Sequence, residues 1–336
     1  MKIRARKRQL QLKGLSLPTP FVVPSFSSRV KPPDPLQKFL KSMLPSISGP
    51  LLISAYDVYH RPGLADYNFN EEISKQDPFL VFLDSGGYEV IWNEKAQSAG
   101  IIQATDAPTW KLKDYLAVLK DWPASVPLVA VTFDPPKPPS MEDQIAAATD
   151  LAGRFPRFSV DFLLKPPCGK PKKVATTLEL SDISPFVGQL KDFPLVGVTE
   201  KEIGASMKDR LTFLTGFRDL LDAAGLETPI HVFGGLDPVM TPLYFLAGAD
   251  VFDGLSWLRY AFKDGRSLYD QGFVATENPR MPIEGAIWNM RDKNIRAFTD
   301  LEISMKKYLL SNAMKEAFQP NGDEIQSAWD RIWASD

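Results

Sequence analysis

The chain has 336 residues, 44% of them apolar, with one cysteine, two histidines and 29 prolines. Thirty-nine basic against 41 acidic side chains leave a formal charge of −2. This length and apolar content suit a globular protein with a large buried core and exclude wholesale disorder. Cys168 has no cysteine partner, and a four-ligand zinc site cannot be assembled from it with His60 and His231. No apolar run approaches the ~20 residues that cross a bilayer. The start, MKIRARKRQLQLKG, is basic but lacks the apolar stretch of a signal peptide, so a cytoplasmic protein without membrane contact is expected. A net charge near zero argues against a general polyanion binder. Any nucleic-acid contact should therefore be local, with Lys2, Arg4, Arg6, Lys7, Arg8 and Lys13 as one patch.

No repeat at fixed period is present, which removes solenoids and propellers. Short apolar runs rich in β-branched and aromatic residues recur instead, each closed by Gly, Pro, Ser or Asp. In chain order they are FVVPSF (21–26), LLISAY (51–56), FLVFLD (79–84), VPLVAVTF (126–133), FSVDFLL (158–164), PLVGVT (194–199), PIHVFG (229–234) and VFDGLSWL (251–258). Between them, segments 35–44, 110–122, 141–155, 206–225 and 237–249 carry apolar residues at the i, i+3, i+4 spacing of amphipathic helices. Eight near-continuous apolar strands alternating with helices match a closed (β/α)8 barrel, an α/β TIM-barrel fold; a doubly wound open sheet is the rival. After residue 258 an irregular stretch precedes helices at 294–318 and 323–334. The expected organisation is a basic N-terminal segment (1–16), a barrel (17–275) and a helical C-terminal extension (276–336).

Active sites of such barrels form from the loops after the strands. Three acids stand there: Asp84 closing the third strand, Asp134 just past the fourth, and Asp253 in the eighth. Each could merely cap a turn or a helix. Together they support chemistry at a glycosidic carbon, where one carboxylate attacks C1′ and the other manages the proton of the departing or incoming group. Gly86 and Gly87 allow close approach to a flat ligand, and Phe133 or Tyr88 could stack on it; the alternative for the glycines is a tight turn. Gly234 and Gly235 precede a helix whose first turn carries Asp237 and Pro238, so backbone N–H groups there could bind a phosphate or ribose oxygen. Arg259 could place positive charge at the same mouth, or form an ordinary salt bridge.

These motifs resemble those of the tRNA-guanine transglycosylases. DSGGYEV (84–90) is similar to the family's DSGGFQ or DSGGYQ signature, and VFDGLSWLR (251–259) to its FDCVxPTR segment. LPTPFVVPSFSS (17–28) resembles TPxFMPVGT, LLISAYDVYHRPG (51–63) resembles ILxNTYHLxxRPG, VTFDPP (131–136) resembles the strand ending in FDE, and residues 231–253 follow MGVGxPxDLxxxVxxGxDxFD. The resemblance runs from about residue 17 to 265 and implies a (β/α)8 barrel. It also implies that guanine in a nucleic acid is exchanged for a free 7-deazaguanine base without a cofactor. By the same resemblance Asp253 is the nucleophile of a covalent glycosyl intermediate, and Asp84 the acid/base serving the entering base. Asp134 would read the guanine edge, Ser85, Gly86 and Gly87 would line the pocket, and Gly197 would stand in the GGL turn that offers backbone amides.

The departures point to a divergent branch. The family's zinc ligands have no counterpart, since residues 276–318 contain neither Cys nor His, so no metal is expected. LLKPPCGKP (163–171) replaces the VQGG turn, Glu89 stands where Gln is usual, and Ser54 replaces the Asn of NTYH. Loss of the zinc region alone favours a DpdA-like enzyme acting on DNA over a tRNA enzyme proper, with room for a protein partner in a modification system. Two alternatives stay open. Lys165 at the end of the fifth strand could form a Schiff base in a lyase, although its two following prolines suit a solvated loop lysine better. A noncatalytic barrel subunit is the other, and it has no physical need for clustered carboxylates.

Overall fold

The computed structural model describes residues 2–28, 36–47, 49–60, 69–74, 80–87, 109–168, 177–277 and 279–334. Among the described residues twelve strands are formed: β1 (Gln9–Leu12), β2 (Leu15–Pro18), β3 (Phe21–Phe26), β4 (Leu51–Ser54), β5 (Val81–Asp84), β6 (Leu128–Val131), β7 (Ser159–Leu164), β8 (Leu195–Thr199), β9 (Ile230–Phe233), β10 (Val251–Gly254), β11 (Tyr260–Lys263) and β12 (Arg266–Tyr269). Strands β3 to β10 pair in parallel in chain order, and β10 closes on both β9 and β3, making an eight-stranded barrel. All eight expected barrel strands form, each within its expected run.

Alternation along the strands separates two cores. Phe21, Val23, Leu52, Phe82, Val129, Val131, Leu163, Leu195, Phe233 and Val251 point inward and fill the barrel. Their neighbours Val22, Ile53, Val81, Ala130, Val160, Phe162, Val196, Ile230 and Phe252 point outward against the helices. The same parity carries Ser25, Asp84, Asp161, His231 and Asp253 into the interior, each two residues along its strand from an inward apolar residue.

The helices on the outside include α1 (Leu36–Met43), α2 (Ala55–His60), α3 (Phe69–Ser74), α4 (Leu112–Lys120), α5 (Met141–Arg154), α6 (Leu180–Ile183), α7 (Met207–Ala223) and α8 (Met240–Leu246). Ser140 caps α5 by accepting from the Asp143 N–H, and Ser206 with Asp209 forms a capping box on α7. After β10 come α9 (Asp270–Glu277), the 29-residue α10 (Ile283–Ser311), α11 (Met314–Ala317) and α12 (Gly322–Trp333). The long helix lies against the first barrel strand, where Glu302 accepts a hydrogen bond from the Val22 N–H. Phe298 packs edge-on to Trp257 and Phe262.

Three parts of the chain differ from expectation. The basic start contains a hairpin: Leu10, Leu12, Leu15 and Leu17 of β1 and β2 pack under the barrel's inner core. The stretch after residue 258 contains the β11–β12 hairpin, whose Asp264 and Gly265 both take positive φ, as a two-residue turn requires. Helix α10 begins eleven residues before position 294, because Ala286 and Met290 bury a first turn, and it ends at Asn312 in the left-handed conformation.

A candidate active site at the barrel mouth

The C-terminal ends of the strands converge on a polar floor. Asp84 ends β5, and its carboxylate accepts a hydrogen bond from the Gly86 N–H at 3.0 Å. Gly86 adopts φ +79°, which permits this tight reversal. Burial pushes Asp84 up to about 7, the Gly86 hydrogen bond opposes this, and the charges of Asp134 and Asp253 add to the rise. Asp84 therefore keeps its proton well above the ordinary carboxylate range.

Asp253, 6% exposed, is held differently. Ser25 Oγ donates to Oδ2 at 2.7 Å and the Gly234 N–H donates to Oδ1 at 2.9 Å, while His231 Nε2 faces Oδ1 at 3.5 Å. Beneath it, His231 Nδ1 lies 2.6 Å from Asp161 Oδ2, and neither residue has exposed side-chain surface.

Asp134 forms a second polar cluster. Its Oδ2 accepts from Lys165 Nζ at 3.0 Å, and Lys165 also pairs with Glu202 at 2.7 Å. Burial lowers the Lys165 ammonium, but the Asp134 and Glu202 charges outweigh it, and the net shift is upward. Lys165 is thus neither a solvated loop lysine nor the neutral amine a Schiff-base lyase needs. It is a buried ammonium, 6% exposed, that neutralises two carboxylates.

The remaining expected site residues divide. Ser85 is fully buried, with Oγ accepting the Asp134 N–H and its carbonyl accepting Trp110 Nε1. Gly87 allows two loops to touch, since a Cβ there would stand 2.1 Å from the Asp134 carbonyl oxygen. Phe133 leans against the ring of Tyr115. Tyr88 and Glu89 lie outside the described residues. Gly197 is in β8 rather than in a turn, and its missing side chain makes room for the Phe233 ring, 2.4 Å from where a Cβ would stand. Gly234 spends its N–H on Asp253 instead of a phosphate. Asp237 caps the turn before α8 through the N–H groups of Val239 and Met240, while Gly235 packs on Val232 and Tyr244. Arg259 is exposed beyond β10.

Three of the six residues of the basic N-terminal patch are paired with acids. Arg4 pairs with Asp219 at 2.5 Å, Arg6 with Asp222 at 2.6 Å, and the buried Arg8 with Asp250 at 2.9 Å. Asp250 directly precedes β10, so this network lies at the end of the barrel opposite the acids.

Asp161 and His231 escaped the reading of the sequence, which weighed His231 only as a metal ligand. The available signal was a charged or titratable side chain at an inward position of an apolar strand, SVDFLL or IHVF, which must find a partner when buried.

No protein family model matches the chain. Over 58 residues it is 36% identical to a tRNA-guanine(15) transglycosylase of Picrophilus torridus, a stretch that is 17% of this chain and 9% of that protein's length. The closed parallel barrel and this short similarity fit the transglycosylase superfamily. Among the described residues no group of three or more His, Cys, Asp or Glu is placed to hold a metal ion, and no helix is long and apolar enough to cross a membrane.

Proposed function

We propose that the protein is a guanine transglycosylase that exchanges guanine in a nucleic acid for a free 7-deazaguanine base. The observation that carries this reading is the pairing at one barrel mouth of two inward carboxylates with opposite surroundings. Asp253 accepts hydrogen bonds from Ser25 and Gly234 with the His231 ring beside it, and Asp84 is poised to carry a proton at about pH 7.

The target nucleotide leaves its stack to reach the mouth, at a cost of a few kcal/mol that contacts to the base must offset. A carboxylate oxygen of Asp253 attacks C1′, the C1′–N9 bond breaks, and its electron pair leaves with guanine, which takes the Asp84 proton. The 7-deazaguanine then binds, Asp84 removes its N9 proton, and N9 attacks C1′, expelling the Asp253 carboxylate. Two inversions retain configuration, and Asp84 ends protonated as it began. Asp134, fixed by Lys165, accepts N–H donors of the base edge, and Ser85 holds the Asp134 backbone in place.

DNA is our preferred polymer, on the absence of the zinc ligands from residues 276–318. The 58-residue similarity to a tRNA-guanine(15) transglycosylase favours tRNA as the second reading. The test incubates the protein with guanine-containing DNA or tRNA and looks for a protein–nucleic acid adduct that survives denaturation. Asp253→Ala should form none. Asp84→Asn can still hydrogen-bond departing guanine but cannot accept a proton, so its adduct should form and persist when a 7-deazaguanine is added. Adduct formation by Asp253→Ala sinks the nucleophile assignment, and unimpaired exchange by Asp84→Asn removes Asp84 from the chemistry.

A further inference from the structure

Beneath the two mouth carboxylates the barrel interior carries a charged layer that the exchange reaction itself does not call for. His231 on β9 pairs in register with Val251, so Asp253 stands two residues nearer the mouth on the neighbouring strand. Asp161 on β7 approaches from the opposite side of the imidazole, across the gap left by Gly197 on β8. The ring packs at 3.9 Å from the Phe233 centroid and edge-on to Phe82 at 5.6 Å. Asp161, His231 and Asp253 thus form one line, at 2.6 Å and 3.5 Å, walled by aromatic carbon.

We propose, resting on the transglycosylase reading, that His231 is a positioning residue for the Asp253 carboxylate: Asp161 anchors Nδ1, and a proton on Nε2 is aimed at Oδ1. Geometry demands that proton. Were Nε2 bare, its lone pair would face a carboxylate oxygen at 3.5 Å, a separation too short to admit a bridging molecule. The Nδ1 contact at 2.6 Å is in the range of charge-assisted hydrogen bonds. Burial by itself pulls His231 down, but the charges and hydrogen bonds of Asp161 and Asp253 outweigh it and hold it at about 9. The other titratable groups in reach are Asp84, within coulombic range of Asp253, and Tyr115, whose hydroxyl donates to the Val131 carbonyl and which feels both Asp84 and Asp161.

The arrangement acts on both halves of the reaction. Before attack, the imidazolium compensates for burial of the nucleophile's charge. In the glycosyl ester that charge is gone, and it returns to the oxygen facing Nε2 as the ester bond breaks, so the imidazolium favours departure of Asp253. Loss of His231 should slow resolution of the adduct more than its formation.

The chain has only two histidines, which makes a direct test simple. In full-length protein carrying His60→Gln and 15N-labelled histidine, long-range 1H–15N correlation should show Nε2 of His231 protonated at pH 7.5. Asp253→Asn should lower the pH at which that proton is lost. A bare Nε2 at pH 7.5, or a titration indifferent to Asp253→Asn, overturns the proposal whatever the protein's activity.

Kinetics supply the second arm. His231→Gln should move the acid side of the single-turnover pH profile upward by at least one pH unit and raise the steady-state adduct at least tenfold. Asp161→Asn, which leaves the imidazole in place, should produce the same shift in smaller measure. Equal slowing at every pH by both variants would assign His231 a packing role and overturn the proposal. A charged His231 in a protein that forms no adduct with any nucleic acid would instead reject the transglycosylase reading and leave the pairing intact.

Discussion

Lys165 Nζ lies 3.0 Å from Asp134 Oδ2, both side chains being 8% exposed, and this contact ties the loop after β7 to the loop after β6. Removing the ammonium takes away the positive charge that the buried Asp134 carboxylate and Glu202 share. Lys165→Met should destabilise by about 3 kcal/mol, the lower end for a broken buried pair because Glu202 is partly exposed. Urea unfolding at pH 7 measures this. Since Lys165 is shifted upward in the fold, its contribution is complete below the unfolded lysine range and lost as pH rises through the folded value. Borohydride should trap no carbonyl compound on Lys165 at neutral pH; a trapped adduct there would restore the lyase reading.

Asp84 also costs stability as pH rises, through ionisation of the buried carboxyl itself. An unfolded aspartate ionises near 3.9, whereas Asp84 in the fold keeps its proton to about 7. Between those values the folded state binds more protons, so stability falls as pH rises. Asp84→Asn should therefore be more stable than the parent at pH 8, by on the order of 3 kcal/mol, with the gap closing toward pH 4. Thermal unfolding across that pH range checks it, and a pH-independent difference would contradict the placement of Asp84 among the other acids.

Ser25 donates to Asp253 Oδ2, whereas Gly234 and His231 meet Oδ1. Ser25→Ala removes one charged hydrogen bond of about 1.5–3 kcal/mol. Resolution of the adduct should slow roughly 10- to 100-fold, with formation and binding changed less, because the hydroxyl stabilises the charge that returns to Asp253 as the ester bond breaks. A large loss of binding with unaltered turnover would place Ser25 on the substrate instead.

Two glycines provide an internal contrast. Gly87→Ala would force a Cβ to 2.1 Å from the Asp134 backbone oxygen, so the loops must separate and both stability and exchange should drop. Gly153 in α5 has open space around it, and alanine there should stabilise by up to about 1 kcal/mol. Denaturant midpoints of the two variants should move in opposite directions.

Arg4 and Arg6 are bound to acids of α7 at the end of the barrel away from the mouth. Arg4→Gln with Arg6→Gln should leave the salt dependence of nucleic-acid binding unchanged, where loss of two phosphate contacts would flatten its slope by about 2. A flattened slope would return the patch to the binding surface.

Much of this was legible before any coordinates. The barrel followed from eight apolar runs ending in turn residues, because a parallel strand covered on both sides has no polar face to disguise it. Asp84 and Asp253 were legible because they sit where strands run out into loops. The β11–β12 hairpin carried an Asp-Gly turn signal at Asp264 and Gly265, and the β1–β2 hairpin a strict alternation of leucines; both were overshadowed by the charges around them.

What the amino-acid order determined by itself was period and punctuation: which segments are strands, which residues share a face, and which acids end near the mouth. Only the closed barrel decided partners. Asp161 and His231 are 70 positions apart, and His231 and Asp253 are 22 apart on adjacent strands, so neither pairing has a local signal. Lys165 reads as a loop residue among prolines until the loops after β6 and β8 bring Asp134 and Glu202 against it. The protonation of these groups is set by burial and by charges from other strands, and both come into being only when the sheet closes.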